Sequence, residues 1–152
     1  MDKDGRYRDL LPELESVLDG EPDWVANLSN AAALIKEAVP AASWVGFYRR
    51  VGDELILGPF QGKVACVRIA MGKGVCGTSA ASLQTVVVPD VHEFPGHIAC
   101  DAGSRSEIVV PIVQAGKVVA VLDLDSYDLA AFDEADAAGL APVVELLGAL
   151  AW

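Results

Sequence analysis

The sequence predicts an α+β domain: a central antiparallel sheet of about six strands, helices packed on it, and a ligand pocket covered by mid-chain loops. Three observations predict this. Apolar residues recur at helical spacing near both ends of the chain. Between them, alternating β-branched and aromatic runs are joined by the tight turns Gly52-Asp53 and Ala115-Gly116, so those strands pair as hairpins. A glycine- and proline-rich stretch separates the hairpins and has room only for short elements. Hairpins make the sheet antiparallel, and helices then gather on it.

Each element has its own justification. Tyr7, Leu10, Leu11, Leu14, Val17 and Leu18 mark a first helix that ends at Asp19-Gly20. Pro22 can open a second helix, whose apolar face carries Trp24, Leu28, Ala31, Ile35 and Val39 before Pro40 closes it. Ser43 to Val51 alternates as a strand, with Trp44, Gly46 and Tyr48 on one face and Val45 and Phe47 on the other. Glu54–Leu57 returns as its hairpin partner, and Gly58 to Gly62 reads as a loop. Cys66 to Ile69 is a short extended piece, and Thr78–Ser82 a short helix after the glycines. Thr85–Val88 is a strand. Ile108–Gln114 and Lys117–Asp125 form the second hairpin. Asp133 can cap a last helix, which Pro142 must kink or restart. The expected organisation is one domain over 1–152, with N-terminal helices in 1–40, sheet and active-site loops in 43–126, and a C-terminal helix in 133–152.

Composition narrows the partners. The chain has 152 residues, 53% hydrophobic and 22% charged, which suits a globular core. A net charge of −11 argues against nucleic acid and against anionic membrane surfaces. No segment approaches the ~20 apolar residues of a membrane helix. The polar start is not a signal peptide, so the expected compartment is the cytoplasm, where thiols stay reduced. Three cysteines, none spaced C-x-x-C, argue against a structural disulfide framework.

The chemistry-bearing residues gather around one stretch. Gly96-His97-Ile98-Ala99-Cys100-Asp101 is an irregular loop between two apolar strands, and loops on rigid strands are where chemistry tends to sit. Cys100 reads as a nucleophile. Cys66 and Cys76 are either further redox thiols or small buried hydrophobes. His92 and His97 could tune a thiolate, but each reads first as a residue bonded to loop backbone. Asp123 and Asp125, two apart, share a strand face while Leu122 and Leu124 take the other. Glu107 begins the neighbouring hairpin strand. Buried carboxylates need partners, so these three acids suggest a pocket floor that holds an ammonium group or raises one carboxyl pKa. Trp44 and Tyr48 are either core or an apolar wall. The run GKGVCG matches G-x-G-x-x-G, but the short helix after it leaves too little chain for a crossover, so a tight glycine turn is the better reading. Zinc held by Cys66, Cys76 or Cys100 with His92 or His97 finds one suitable spacing, His97-x-x-Cys100, and no metal is expected.

The runs WVGFY, LGPFQGKVACVRI, GKGVCGTS, DVHEFPGHIACDAGSRSEIVVPI and AVLDLDS resemble the free methionine-(R)-sulfoxide reductases, single-domain proteins of the GAF fold. The resemblance spans roughly Ser43 to Phe132. It implies that Cys100 is catalytic, Cys66 resolving, and Cys76 a second resolving or relay thiol. It implies that Glu107, Asp123 and Asp125 hold the substrate and polarise its sulfoxide, with Trp44 and Tyr48 around the methyl-sulfur end. Free methionine sulfoxide is then the substrate, no cofactor is bound, and a thioredoxin-type dithiol is the reductant. Pairing of two chains through Leu147, Leu150 and Trp152 is also expected. The alternatives are a non-enzymatic GAF module that binds a small regulator, and a sensor that uses the same thiols.

Overall fold

A computed structural model describes residues 2–98 and 100–152; Ala99 of the GHIACD run lies outside them. Among the described residues there are four α-helices and six strands: α1 (Lys3–Leu18), α2 (Trp24–Ala38), β1 (Trp44–Val51), β2 (Glu54–Gln61), β3 (Arg68–Ala70), α3 (Gly74–Ser82), β4 (Val86–Val88), β5 (Ser106–Gln114), β6 (Lys117–Ser126) and α4 (Glu134–Gly148). The sheet order is β3-β2-β1-β6-β5-β4, and every neighbouring pair is antiparallel.

Alternation along the strands divides the molecule into two layers. Val45, Phe47, Ile108, Val110, Leu122 and Leu124 face α1, α2 and α4 and are buried with them in the larger core. Trp44, Tyr48, Val109 and Val121 face the other way, toward α3 and the mid-chain loops. The larger core anchors the sheet, since each fully buried aliphatic side chain contributes roughly 1.5–3 kcal/mol. Side-chain caps fix the helix starts: Asp2, Asp23 and Asp133 each accept from a backbone N–H of the first turn. Tyr7 Oη and Lys3 Nζ donate to the two oxygens of buried Asp136, at 2.6 and 2.7 Å, and so join α1 to α4.

Several expectations change. Strand β2 does not stop at Leu57 but runs through Gly58-Pro59-Phe60 to Gln61. Its ladder with β1 shifts between Gly46 and Tyr48, so Gly58 and Pro59 lie opposite Phe47 in a bulge. A bulge is where a strand tolerates a proline, because the missing N–H costs no ladder bond there. Pro22 precedes the Asp23 cap instead of opening α2. Helix α4 continues through Pro142 without restarting. Leu147, offered as part of a dimer face, is fully buried in the chain's own core.

Helix α3 begins inside the glycine run and spans nine residues, longer than the turn expected. It links β3 at one edge of the sheet to β4 at the other, crossing the face on which Trp44 and Tyr48 lie. Strand β4 then pairs antiparallel with β5, so the parallel crossover of a dinucleotide fold is absent among the described residues. The glycines serve backbone packing. A Cβ on Gly77 would meet the carbonyl oxygen of Ala70 at 2.5 Å, and Gly74 adopts φ +61.

Candidate active site

Strand register builds the floor of the pocket. Trp44 on β1 faces Asp125 on β6, and Asp125 faces Glu107 on β5. Directly opposed residues of antiparallel strands share a face, so these three form a row across the sheet. In the next same-face row, Asp123 stands between Gly46 and Val109. Gly46 has a steric reason: a Cβ there would run into Phe60 and the Trp44 ring. That space lets Trp44 stack between Phe60 and Tyr48, with ring centroids 5.2 and 6.1 Å away. The aromatic wall also tethers a loop. Trp44 Nε1 donates to the Lys63 carbonyl at 3.0 Å, and Tyr48 Oη donates to the Cys66 carbonyl at 2.9 Å.

Electrostatics on this floor follow from burial. Glu107 and Asp123 are 6% and 5% exposed, and Asp125 is partly buried beside them. An ionised carboxylate costs several kcal/mol to bury, and here the neighbours are more carboxylates. Burial raises all three pKa values well above the usual range. Asp123 adds to the rise at Glu107, Asp125 to that at Asp123, and Glu107 to that at Asp125. Cys76 projects from α3 into the same cluster, with its Sγ 4.0 Å from Glu107 Oε2. Burial, then the charges of Asp123 and Glu107, push its thiol up as well. Among the described residues, Asp123 Oδ1 is the buried side-chain oxygen without a hydrogen-bond partner. The floor therefore offers protons to an acceptor and a bare oxygen to a cation.

The mouth is made by two loops. Cys66 and Cys100 are joined by a disulfide with their Cα atoms 5.5 Å apart, inside the usual range. Cys100 is exposed and lines the pocket, whose volume is about 620 Å³ including its open side. Its neighbour Asp101 accepts from Tyr127 Oη at 2.7 Å and from the Gly103 N–H at 2.9 Å. Those bonds, the Tyr127 one foremost, hold the Asp101 carboxyl below its ordinary pKa. Lys63 Nζ, on the Cys66 loop, lies 5.6 Å from the Tyr127 ring centroid. Tyr127 thus touches both cysteine-bearing loops.

The eight site residues singled out in the sequence converge on this region. Cys100, Cys76, Glu107, Asp123, Asp125, Trp44 and Tyr48 line the pocket, and Cys66 is bonded to Cys100 at its rim. Cys76 and Cys66 differ in depth: among the described residues Cys76 is the free cysteine, and it is buried. The structure also places His97 on the pocket. Its ring faces the pocket with Nε2 3.8 Å from Glu107 Oε1, and burial lowers its pKa. Its position three residues before Cys100 was the available signal. His92 lies apart and exposed, with Nδ1 3.2 Å from Asp90. With Cys66 and Cys100 bonded to each other, Cys76 is the cysteine among the described residues whose sulfur is free.

Residues 27–150 match the GAF domain family. The chain is 46% identical over 147 residues to a protein named free methionine-R-sulfoxide reductase from Escherichia coli, covering 97% of this chain and 89% of that one. A Saccharomyces cerevisiae protein of the same name is 46% identical over 155 residues, covering 97% and 86%. This chain belongs to the free methionine-R-sulfoxide reductase family. A crystal structure of the Neisseria meningitidis free methionine-R-sulfoxide reductase in complex with its substrate superposes with a TM-score of 0.94. It is 53% identical and covers 97% of this chain and 89% of that one. Membership in the reductase family and in the GAF fold agrees with the resemblance carried by the cysteine, SEIV and LDLDS runs. Among the described residues no helix is long and apolar enough to cross a membrane.

Proposed function

We propose that this chain reduces free methionine (R)-sulfoxide to methionine, with Cys100 as the nucleophile and Cys66 as the resolving thiol. The observation that carries the reading is the convergence of an exposed Cys100, three buried carboxyls and an aromatic wall on one small pocket. Asp123, with its unpartnered oxygen, takes the substrate's ammonium group. Glu107 or Asp125, held protonated by burial, donates to the sulfoxide oxygen and makes sulfur electrophilic. Trp44 and Tyr48 enclose the methyl-sulfur end. An enclosed pocket favours a free amino acid, whose charged ends must be held inside, over a protein side chain.

The Cys100 thiolate attacks sulfur while the acid protonates the sulfoxide oxygen; that oxygen passes to the Cys100 sulfur as its bond to the methionine sulfur breaks, so methionine leaves and Cys100 becomes a sulfenic acid. The Cys66 thiol displaces water from that acid to give the Cys66–Cys100 disulfide. A dithiol protein of the thioredoxin type then reduces the disulfide and is itself oxidised. The structure holds the bonded pair, which matches the state awaiting reduction in this cycle. Cys76, free and buried beside the acids, keeps the second resolving or relay role in the same proposal. Location in the cytoplasm belongs to the same proposal. So does pairing of two chains through the terminal helices, with Leu147 removed from the contact; sedimentation as a monomer would remove it.

Incubation with racemic free methionine sulfoxide and dithiothreitol tests the reading. The expected result is methionine release confined to the R form and lost on Cys100→Ser. Intact substrate, or release that survives Cys100→Ser, would overturn it.

A further inference from the structure

We propose that the pocket floor is also a binding site for a thiophilic divalent cation such as zinc or cadmium, held by Cys76, Glu107 and Asp123. The proposal goes beyond the reductase reading and does not rest on it. One ligand atom from each of these residues lies within 4.8 Å of the other two, and all three residues are buried. Around a tetrahedral zinc with bonds of about 2.0–2.3 Å, ligand atoms sit roughly 3.3–3.8 Å apart. The remaining gap is up to about 1.5 Å between ligand atoms, to be closed by side-chain rotation. Cys76 reaches the cluster from α3, while both acids come from paired strands, so the site is braced from two directions.

A second observation points to a ligand. Asp123 Oδ1 is buried and accepts no hydrogen bond among the described residues, so a lone pair is left facing the cluster. Such a vacancy is unfavourable and is relieved by a cation placed there. Among the described residues, no lysine or arginine pairs with Glu107 or Asp123; His97 Nε2 lies 3.8 Å from Glu107, and burial lowers the His97 pKa. The donor set decides which metal. One thiolate with two carboxylates suits the borderline and soft ions zinc and cadmium better than magnesium or calcium, which prefer all-oxygen sites. The fourth position faces the open pocket and takes water. Binding is not a redox step: the Cys76 proton and any carboxyl protons leave to solvent as the metal–ligand bonds form.

The involvement of Cys76 makes the test clean, because the Cys66–Cys100 disulfide removes the other two sulfurs from competition. Disulfide-intact protein is stripped with chelator and titrated with cadmium, following the thiolate-to-cadmium ultraviolet absorption. The expected result is a band that saturates at one equivalent, disappears in Cys76→Ser, and needs at least about tenfold more cadmium in Asp123→Asn. Excess zinc removes the band by displacement. A band that persists in Cys76→Ser, or no band at one equivalent in the wild type, would overturn the proposal. Should the serine variant fail to fold, cadmium NMR of the wild-type complex decides alone. A shift for mixed sulfur and oxygen coordination supports the site, and one for oxygen alone refutes it.

Discussion

The floor and the mouth of the pocket are built by opposite means. Glu107, Asp123 and Asp125 stand on β5 and β6, two long strands paired along nearly their whole length. Leu122 and Leu124, which alternate with the acids, are locked in the larger core. The mouth hangs on two loops tied by one disulfide and a few exposed hydrogen bonds around Tyr127 and Asp101. Charge that must be held in a costly environment sits where backbone register leaves no freedom. In the proposed cycle, the sulfur that meets first a substrate and then a second sulfur sits on loops held by few contacts. The two regions should therefore respond differently to substitution: the floor in chemistry and pH dependence, the mouth in turnover.

The largest expected effect comes from breaking the floor's proton supply. Glu107→Gln and Asp125→Asn each keep size while removing the acid. The one that carries the donor should lower single-turnover methionine release by about 100-fold or more. Rapid-quench kinetics on pre-reduced protein identifies it, and near-normal rates in both variants would move the donor elsewhere. At the mouth, Cys66→Ser should leave one turnover intact but slow thioredoxin-driven cycling by about tenfold or more, measured by coupled reductant consumption.

A smaller effect concerns stability. Carboxyls whose pKa is raised on folding bind protons more tightly in the native state. Their stabilising contribution is complete below the unfolded carboxyl pKa and is lost as pH rises through the raised native values. Asp123→Asn removes one such group. Its Tm should fall less steeply between acidic and neutral pH than that of the wild type, by a few degrees. Parallel Tm-versus-pH curves would contradict the burial account. The smallest effect is at Tyr127→Phe, which removes one exposed hydrogen bond to Asp101 worth about 0.5–1.5 kcal/mol. Disulfide closure after a single turnover should slow by a few fold, with methionine release unchanged.

The same division explains what was legible in the sequence. Two-residue periodicity placed Asp123 and Asp125 on one face and Leu122 and Leu124 on the other, because pleat geometry is a property of any strand. The hairpin turn at Ala115-Gly116 showed that Glu107 lies on the strand beside the two aspartates, but the turn alone would set it opposite Leu124; a register shift at Ile112/Val113, which the sequence does not announce, sets it opposite Asp125. Local chemistry misled where tertiary pairing outvoted it. Gly58 and Pro59 read as a break, yet the ladder with β1 accommodates them in a bulge. His97 could not be aimed from the sequence, because its direction depends on the path of a loop without periodicity. The depth of Cys76 was hidden for a related reason. Helix α3 starts earlier than the glycines suggest and lies across the sheet, so its one thiol faces down among the acids.

The central claim is that the Cys100 sulfur takes oxygen from a guest held on the acid floor. The most direct measurement is one turnover of a Cys66→Ser, Cys76→Ser protein with a single equivalent of free methionine (R)-sulfoxide, followed by mass spectrometry with a sulfenic-acid trap. The account predicts one methionine released per chain and one trapped oxygen, located on Cys100. Methionine without oxidation at Cys100, or a chain that leaves the substrate untouched, would contradict it.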